Sequence, residues 1–168
     1  TMEVLLVSPL PPLLVIFAKS VPYFFLSAVN IASILLLSVF MLGLPIAGSL
    51  VLLVSLSLLF TLTCLSFGMF ISSITASQQV AMLISLMGLF LPTLMLSGFM
   101  FPIENMPIPL RVMSNIVPAK WYFFIVKAVM IKGVGLHVIW KEALILTGMT
   151  GFFLMLSVKK YKIRLATA

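Results

Sequence analysis

The sequence predicts an all-α integral membrane protein with four transmembrane helices, and two observations carry this prediction. Of the 168 residues, 63% are hydrophobic and only 8% are charged, whereas a soluble domain of average composition carries roughly a quarter charged residues. The apolar residues are also gathered into runs of about twenty, the length that an α-helix needs to cross a bilayer. A soluble surface could not be built from this composition.

The predicted spans follow the apolar runs in order, at residues 21–43, 49–72, 80–101 and 138–158. Pro22 suits the first turn of a helix, and the segment "LPIAG" (44–48) makes a tight turn after the first span. An uncharged polar link, "SSITASQQ" (72–79), separates the second span from the third.

Residues 102–137 are too long for a turn, and we expect a helical hairpin there. Its apolar segment "WYFFIVKAVMI" (121–131) has eleven residues, too few to span a bilayer, so it predicts a re-entrant or interfacial helix. Trp121 and Tyr122 are expected to anchor this helix at the membrane interface. Gly133 is a candidate C-cap at its end.

The net charge of +7 comes from ten basic residues that lie between apolar runs or at their ends. Basic residues in such places flank membrane spans, so we expect no nucleic-acid partner. The one cysteine, Cys64, lies inside an apolar run and predicts neither a disulfide framework nor a metal site. Four spans place both ends on one side of the membrane. The basic residues divide five to five between the sides, and the dense cluster "KKYKIR" (159–164) favours the ends inside.

No catalytic arrangement is visible, and the chain is not expected to be an enzyme. Its three acidic residues, Glu3, Glu104 and Glu142, lie in separate segments. There is no phosphate-binding loop of the form G-x-x-x-x-G-K-[ST]. If the protein uses ATP, another chain must bind it. An intramembrane enzyme would need ionisable residues facing one another inside the spans, and the spacing brings none together.

Weaker signals lie inside the spans. Asn30 in the first span indicates either a substrate path or a hydrogen bond that joins two helices. Cys64, Gly68 and Ser72 recur every fourth residue and favour close approach of a neighbouring helix. The hydroxyls of the second span are scattered around the helix, and we expect them to bond back to their own backbone: Ser55, Ser57, Thr61, Thr63 and Ser66.

The third span carries two signals for irregular helix. Gly88 and Pro92 predict a bend, because proline removes a backbone hydrogen bond inside a helix. Ser97 and Gly98 permit a second break near the end of the span.

Three segments, taken in order, resemble the membrane subunit of an ABC type-2 transporter. They are "TMEVLLVSPL" (1–10), "LSGFMFPIENMP" (96–107) and "KAVMIKGVGL" (127–136). The first is similar to the coupling helix of that family, the second to its signature at the outer end of the fifth span, and the third to its external hairpin. The resemblance implies six spans in a complete subunit. This sequence, which opens with Thr before Met and lacks the usual Glu-Arg-Gly before that point, would hold the last four.

The resemblance also implies roles for particular residues. Residues 1–12 would form a cytoplasmic coupling helix, in which Met2, Leu5 and Leu6 dock on an ATPase, Glu3 adds a polar contact, and Ser8 and Pro9 end the helix. Residues 102–137 would be an external re-entrant hairpin. The external gate and the hairpin would involve five residues of the second segment: Ser97, Gly98, Pro102, Glu104 and Pro107. Glu104 would anchor the hairpin, either by accepting hydrogen bonds from freed backbone amides or by pairing with Arg111 or Lys120, or it would be a solvated loop acid. Asn30 and Pro92 are candidates for the translocation path.

The resemblance therefore implies a permease subunit of an ATP-driven exporter, most like the bacterial multidrug-efflux branch. It would move an apolar or amphiphilic, drug-like substrate across the inner membrane by alternating access, with both ends of this sequence cytoplasmic. The expected partners are an ABC ATPase subunit that uses ATP and Mg²⁺, a second permease subunit, and a periplasmic adaptor with an outer-membrane channel. No cofactor is expected on this chain. A lipid or polysaccharide exporter of the same family and a non-transporting membrane scaffold are the alternatives.

Overall fold

A computed structural model of the chain describes residues 12–44, 46–75 and 77–166, and this part is built from helices without any strand. The α-helices are α1 (Pro12–Phe40), α2 (Leu50–Ile74), α3 (Gln78–Ser85), α4 (Leu91–Leu96), α5 (Ile108–Ser114), α6 (Pro118–Val126) and α7 (Leu136–Ala166). Two π-turns, Leu86–Phe90 and Lys127–Ile131, and one 3₁₀ turn, Ile103–Asn105, lie between them.

Four helical segments of the described residues are long and apolar enough to cross a membrane, which confirms the predicted number of transmembrane helices. They are Ser20–Phe40, Leu50–Ile74, Gln78–Leu96 and Leu136–Lys160. The first and last helices extend beyond the predicted spans towards the two ends of the chain. α1 begins at Pro12, before residue 21, and α7 continues past residue 158 through the basic cluster. The third segment ends earlier than expected, at Leu96, because Gly98 turns the backbone to a φ of +85°.

The centre of the fold is the contact between α2 and α7, which run side by side in the same direction. Thr63 and Thr150 share a hydrogen bond of 2.7 Å, and the rings of Phe67 and Phe153 meet edge to face at 4.6 Å. The buried apolar cluster combines residues of both helices with two from the hairpin: Leu53, Leu56, Ile139, Leu146, Ile125 and Val129. In a membrane such packing, rather than exclusion of water, holds helices together.

The third span is interrupted where proline predicted a bend. Pro92 has no N–H to donate to Gly88, and the helix widens into the π-turn Leu86–Phe90, in which Leu91 N–H donates to the Leu86 carbonyl. No residue of α3 or of this π-turn is buried. The third span is therefore the least packed of the four in the described part of the chain.

The region of the predicted hairpin contains two helices, α5 and α6, the latter continuing through the π-turn Lys127–Ile131. α6 lies antiparallel to the first turns of α2, since Tyr122 contacts Ser57 and Phe60 while Val129 lies against Gly48. Ser57 is seven residues beyond Leu50, which places this contact about 10 Å along the span. The hairpin helix ends at Gly133 (φ +65°), where Val134 N–H donates to the Ala128 carbonyl.

Candidate functional site

The residues predicted to dock an ATPase lie outside the described part of the chain. This holds for the whole set: Met2, Glu3, Leu5, Leu6, Ser8 and Pro9. Their roles remain those that the resemblance implies.

The break after the third span folds the chain back onto the hairpin. Ser97 is buried, and its hydroxyl accepts a hydrogen bond from Phe99 N–H at 3.3 Å. A Cβ on Gly98 would lie 3.1 Å from Ile103 Cδ1, so the turn that follows is tightly packed. The rings of Phe99 and Phe123 meet edge to face, with centroids 6.2 Å apart. This predicted gate segment therefore joins the third span to α6.

Glu104 lies exposed in the 3₁₀ turn, and the structure forms no ion pair between it and Arg111 or Lys120. Lys120 instead donates to Asn115 Oδ1 at 2.6 Å and to Ser114 Oγ at 3.2 Å. Burial lowers the pKa of the Lys120 ammonium, and the positive charge of Arg111 lowers it further. The buried cation thus holds the turn between α5 and α6, a role that its position in the sequence did not reveal.

The structure brings three of the predicted prolines to one cavity. Pro92 in α4 faces Pro102 and Pro107 across an apolar space of about 500 Å³. The remaining lining is almost entirely apolar: Leu91, Met95, Leu96, Phe101, Asn105, Met106 and Leu110. A cavity with these walls can receive an apolar group but offers little to hold a charge.

Asn30 does not join this cavity. Its side chain is exposed on α1 and makes no hydrogen bond to the described residues. Both interpretations of Asn30, substrate path and bond to another helix, therefore stay predictions.

The structure adds contacts to two residues discussed above. Tyr122 packs on α2: its ring stacks on Phe60 with centroids 4.2 Å apart, and its hydroxyl lies 2.9 Å from Ser57 Oγ. The hydroxyls of Ser55, Ser57, Thr63 and Ser66 bond back to the helix as predicted, but Thr61 does not.

Thr61 faces a second cavity, which the sequence pattern did not predict. It lies between α1 and α2 and has a volume of about 570 Å³. Cys64, Gly68 and Ser72, expected to let a helix approach closely, form part of its wall. A Cβ on Gly68 would meet nothing within 4 Å, so no helix packs closely on Gly68 itself.

Four helices long and apolar enough to span a membrane, a broken third span and a helix packed beside the first turns of α2 define a multi-pass membrane protein. The chain matches the family described as ABC-2 type transporter over residues 1–131, and it belongs to that family. The predicted resemblance is thereby confirmed.

The chain is similar to several curated ABC transporter proteins. "Probable multidrug ABC transporter permease YbhS" of Escherichia coli is 38% identical over 133 residues, which cover 79% of this chain and 35% of the relative. "Probable multidrug ABC transporter permease YbhR" of the same organism is 31% identical over 154 residues, 90% of this chain and 42% of the relative. "ABC transporter G family member 20" of Dictyostelium discoideum is 27% identical over 146 residues, covering 86% and 20%.

The chain thus spans well under half of the length of these relatives. No solved structure matches it.

Proposed function

We propose that the chain is the C-terminal part of a permease subunit that exports an apolar or amphiphilic, drug-like substrate across the bacterial inner membrane. Membership of the ABC-2 family and similarity to permeases named for multidrug transport support the transport class. The two cavities lined mostly by apolar and hydroxyl side chains support an uncharged or amphiphilic cargo rather than an ion.

The observation that carries the proposal is the contrast between a packed and an unpacked part of the fold. α2, α7 and α6 share the buried cluster, whereas α3 and the π-turn after it bury no residue. A π-turn next to Pro92 also weakens the helix where it would have to bend. The third span can therefore change position relative to α2, α6 and α7 at small cost in packing, as alternating access requires.

The energy for that change would come from a partner. An ABC ATPase that hydrolyses ATP with Mg²⁺ would dock on residues 1–12 and rock the spans, so this chain would itself bind no cofactor. A second permease subunit would complete the path, with residues 102–137 outside and both ends of this sequence in the cytoplasm. A periplasmic adaptor and an outer-membrane channel would receive the cargo.

A crosslink tests the docking step. Cysteine is placed at position 6 of the complete subunit in a Cys64→Ser background, and the subunit is co-expressed with its ATPase and treated with a short bismaleimide. We expect a crosslinked pair of the two proteins whose yield changes when ATP is added. Cysteine at position 115, in the proposed external hairpin (Asn115→Cys), is the matched control and should give no product.

The absence of any crosslink from position 6 and its neighbours, with both proteins folded, would contradict the coupling-helix assignment and favour a membrane scaffold. A nucleotide-dependent crosslink together with transport of a lipid or polysaccharide, but of no drug, would keep the permease and replace the proposed cargo.

A further inference from the structure

The second cavity, between α1 and α2, is here called the α1–α2 groove. It is open on one side and its wall mixes apolar and hydroxyl-bearing residues: Ser20, Tyr23, Ser27, Phe60, Thr61, Cys64, Leu65, Gly68, Met69 and Ser72. None of these residues is charged. The volume of about 570 Å³ falls within the range of small-molecule binding sites.

Several hydroxyls of the spans outside the groove bond back to their own helices. Ser55, Ser57, Thr63 and Ser66 on α2 each donate to the carbonyl four residues earlier. Ser33 on α1 and Thr147 on α7 do the same. In contrast, the groove hydroxyls of Tyr23, Ser27, Thr61 and Ser72 make no hydrogen bond to any described residue.

The hydroxyls of Tyr23, Ser27 and Thr61 lie at two heights along the α1 and α2 helices. α1 and α2 are antiparallel here, because Ser20 Oγ lies 3.0 Å from Met69 Sδ, and Ser27 therefore lies at about the level of Thr61. Tyr23 is one turn nearer the chain ends, about 6 Å away along α1. Beyond Thr61 the groove is closed by Phe60, whose ring is stacked on Tyr122.

Hydroxyls that face hydrocarbon need a partner, since lipid tails offer none. The two levels of free hydroxyls match a ligand with hydrogen-bonding groups at two points on an apolar body. The lack of a charged side chain in the wall disfavours an ionised ligand, because nothing in it would balance the charge.

We propose that the α1–α2 groove binds an uncharged, drug-sized amphiphile carrying hydroxyl or carbonyl groups, which enters from the surrounding leaflet. Ser27 and Thr61 hydrogen-bond its deeper polar group, Tyr23 bonds the other, and Leu65 and Met69 contact its apolar body. The inference deepens the proposed function, because such a ligand is the class of cargo assigned above. The groove lies apart from the cavity around Pro92 and is a separate site.

Photolabelling tests the proposal directly. The complete subunit in lipid nanodiscs is irradiated with 4-(hydroxymethyl)benzophenone, a neutral probe whose carbonyl and hydroxyl are separated by one aromatic ring. Adducts are mapped by mass spectrometry at rising probe concentration. We expect saturable labelling of Met69 and Leu65.

Paired variants locate the hydrogen bonds. The double variant Ser27→Ala/Thr61→Val should raise the probe concentration at half-maximal labelling about tenfold, because each hydrogen bond between groups in a membrane changes an equilibrium about threefold. Ser55→Ala with Thr147→Val removes two exposed hydroxyls that bond their own helices, and it should leave the labelling unchanged.

Two results would overturn the proposal. Labelling that does not saturate and reaches the exposed Met155 of α7 as strongly as Met69 would show only partition into lipid. Absence of label in the groove, with the complete subunit folded, would also contradict the proposal. It would indicate that another helix of the complete subunit packs on the groove. The assay needs neither ATP nor an ATPase, so saturable labelling without the position-6 crosslink would refute coupling to the ATPase and leave the binding site standing.

Discussion

The absence of a Cβ atom at two glycines, Gly48 and Gly133, allows the hairpin to pack closely against the rest of the fold. At Gly48 a Cβ would lie 2.5 Å from the Val129 carbonyl oxygen, and at Gly133 it would lie 2.9 Å from the Ala47 carbonyl oxygen. Ala47 N–H donates to the Met130 carbonyl at 3.1 Å across the same contact. Gly48 and Gly133, on facing segments, therefore let the backbone of residues 46–49 come into contact with that of the hairpin.

Gly48→Ala should lower the free energy of unfolding by about 1–3 kcal/mol, since an added methyl group must push the backbone at Val129 away. The measurement is the thermal unfolding midpoint of the complete subunit in detergent. Gly148→Ala is the matched control: a Cβ there meets nothing within 4 Å, and alanine favours the helix. Equal midpoints for the two variants would show that the hairpin is not held at this contact.

At the scale of elements, Pro92 makes the helix of the third span irregular. The segment Gln78–Leu96 is as apolar as a spanning helix requires, but Pro92 divides it into α3, a π-turn and α4. Pro22 lies inside α1, which continues as one α-helix from Pro12 to Phe40. The presence of a proline therefore does not by itself produce a π-turn.

Pro92→Ala should stabilise the subunit and impair transport. Alanine restores the N–H that can bond the Gly88 carbonyl, so the helix becomes regular and gains up to about 3 kcal/mol. The unfolding midpoint and the ATP-dependent export of a fluorescent drug are measured together. Thr93→Ala, one residue further on, should change neither. Full export by a stabilised Pro92→Ala protein would contradict a role for the π-turn in the transport cycle.

At the scale of the whole molecule, the four spans are packed unequally. The α2–α7 pair and α6 form the interior, whereas the third span buries no residue of its most apolar window. Leu83, Leu86 and Met87 are all exposed on it. Such a span is expected to find its contacts outside the described residues, and we predict that the second permease subunit proposed above provides them.

Met87→Cys in the complete subunit, in a Cys64→Ser background, should therefore give a covalent permease dimer with a short bismaleimide. Met155→Cys on α7 is the matched control, since the two methionines are 71% and 73% exposed, and it should remain monomeric on a denaturing gel. Dimer from both positions in equal yield would indicate random collision in the membrane rather than an interface on the third span.

The four spans and the hairpin region could be predicted because transfer into a bilayer depends on each residue separately and sums along the chain. The C-cap at Gly133 and the bend near Pro92 could be predicted for a similar reason, since both follow from local backbone chemistry. The position of Tyr122 could not, because an aromatic hydroxyl suits an interface and a stacked, hydrogen-bonded interior equally well.

Thr61 and Thr63 show most clearly where the sequence stops being informative. They are the same residue type, two positions apart on one helix, yet Thr63 bonds the Leu59 carbonyl and approaches Thr150 while Thr61 faces the α1–α2 groove. By itself the sequence determined the membrane-spanning class, the number of spans and the family motifs. The first two follow from hydropathy summed along the chain, and the motifs are local stretches of sequence. Only the tertiary structure decided which face of each helix is packed and which is left open, because that depends on neighbours distant in sequence.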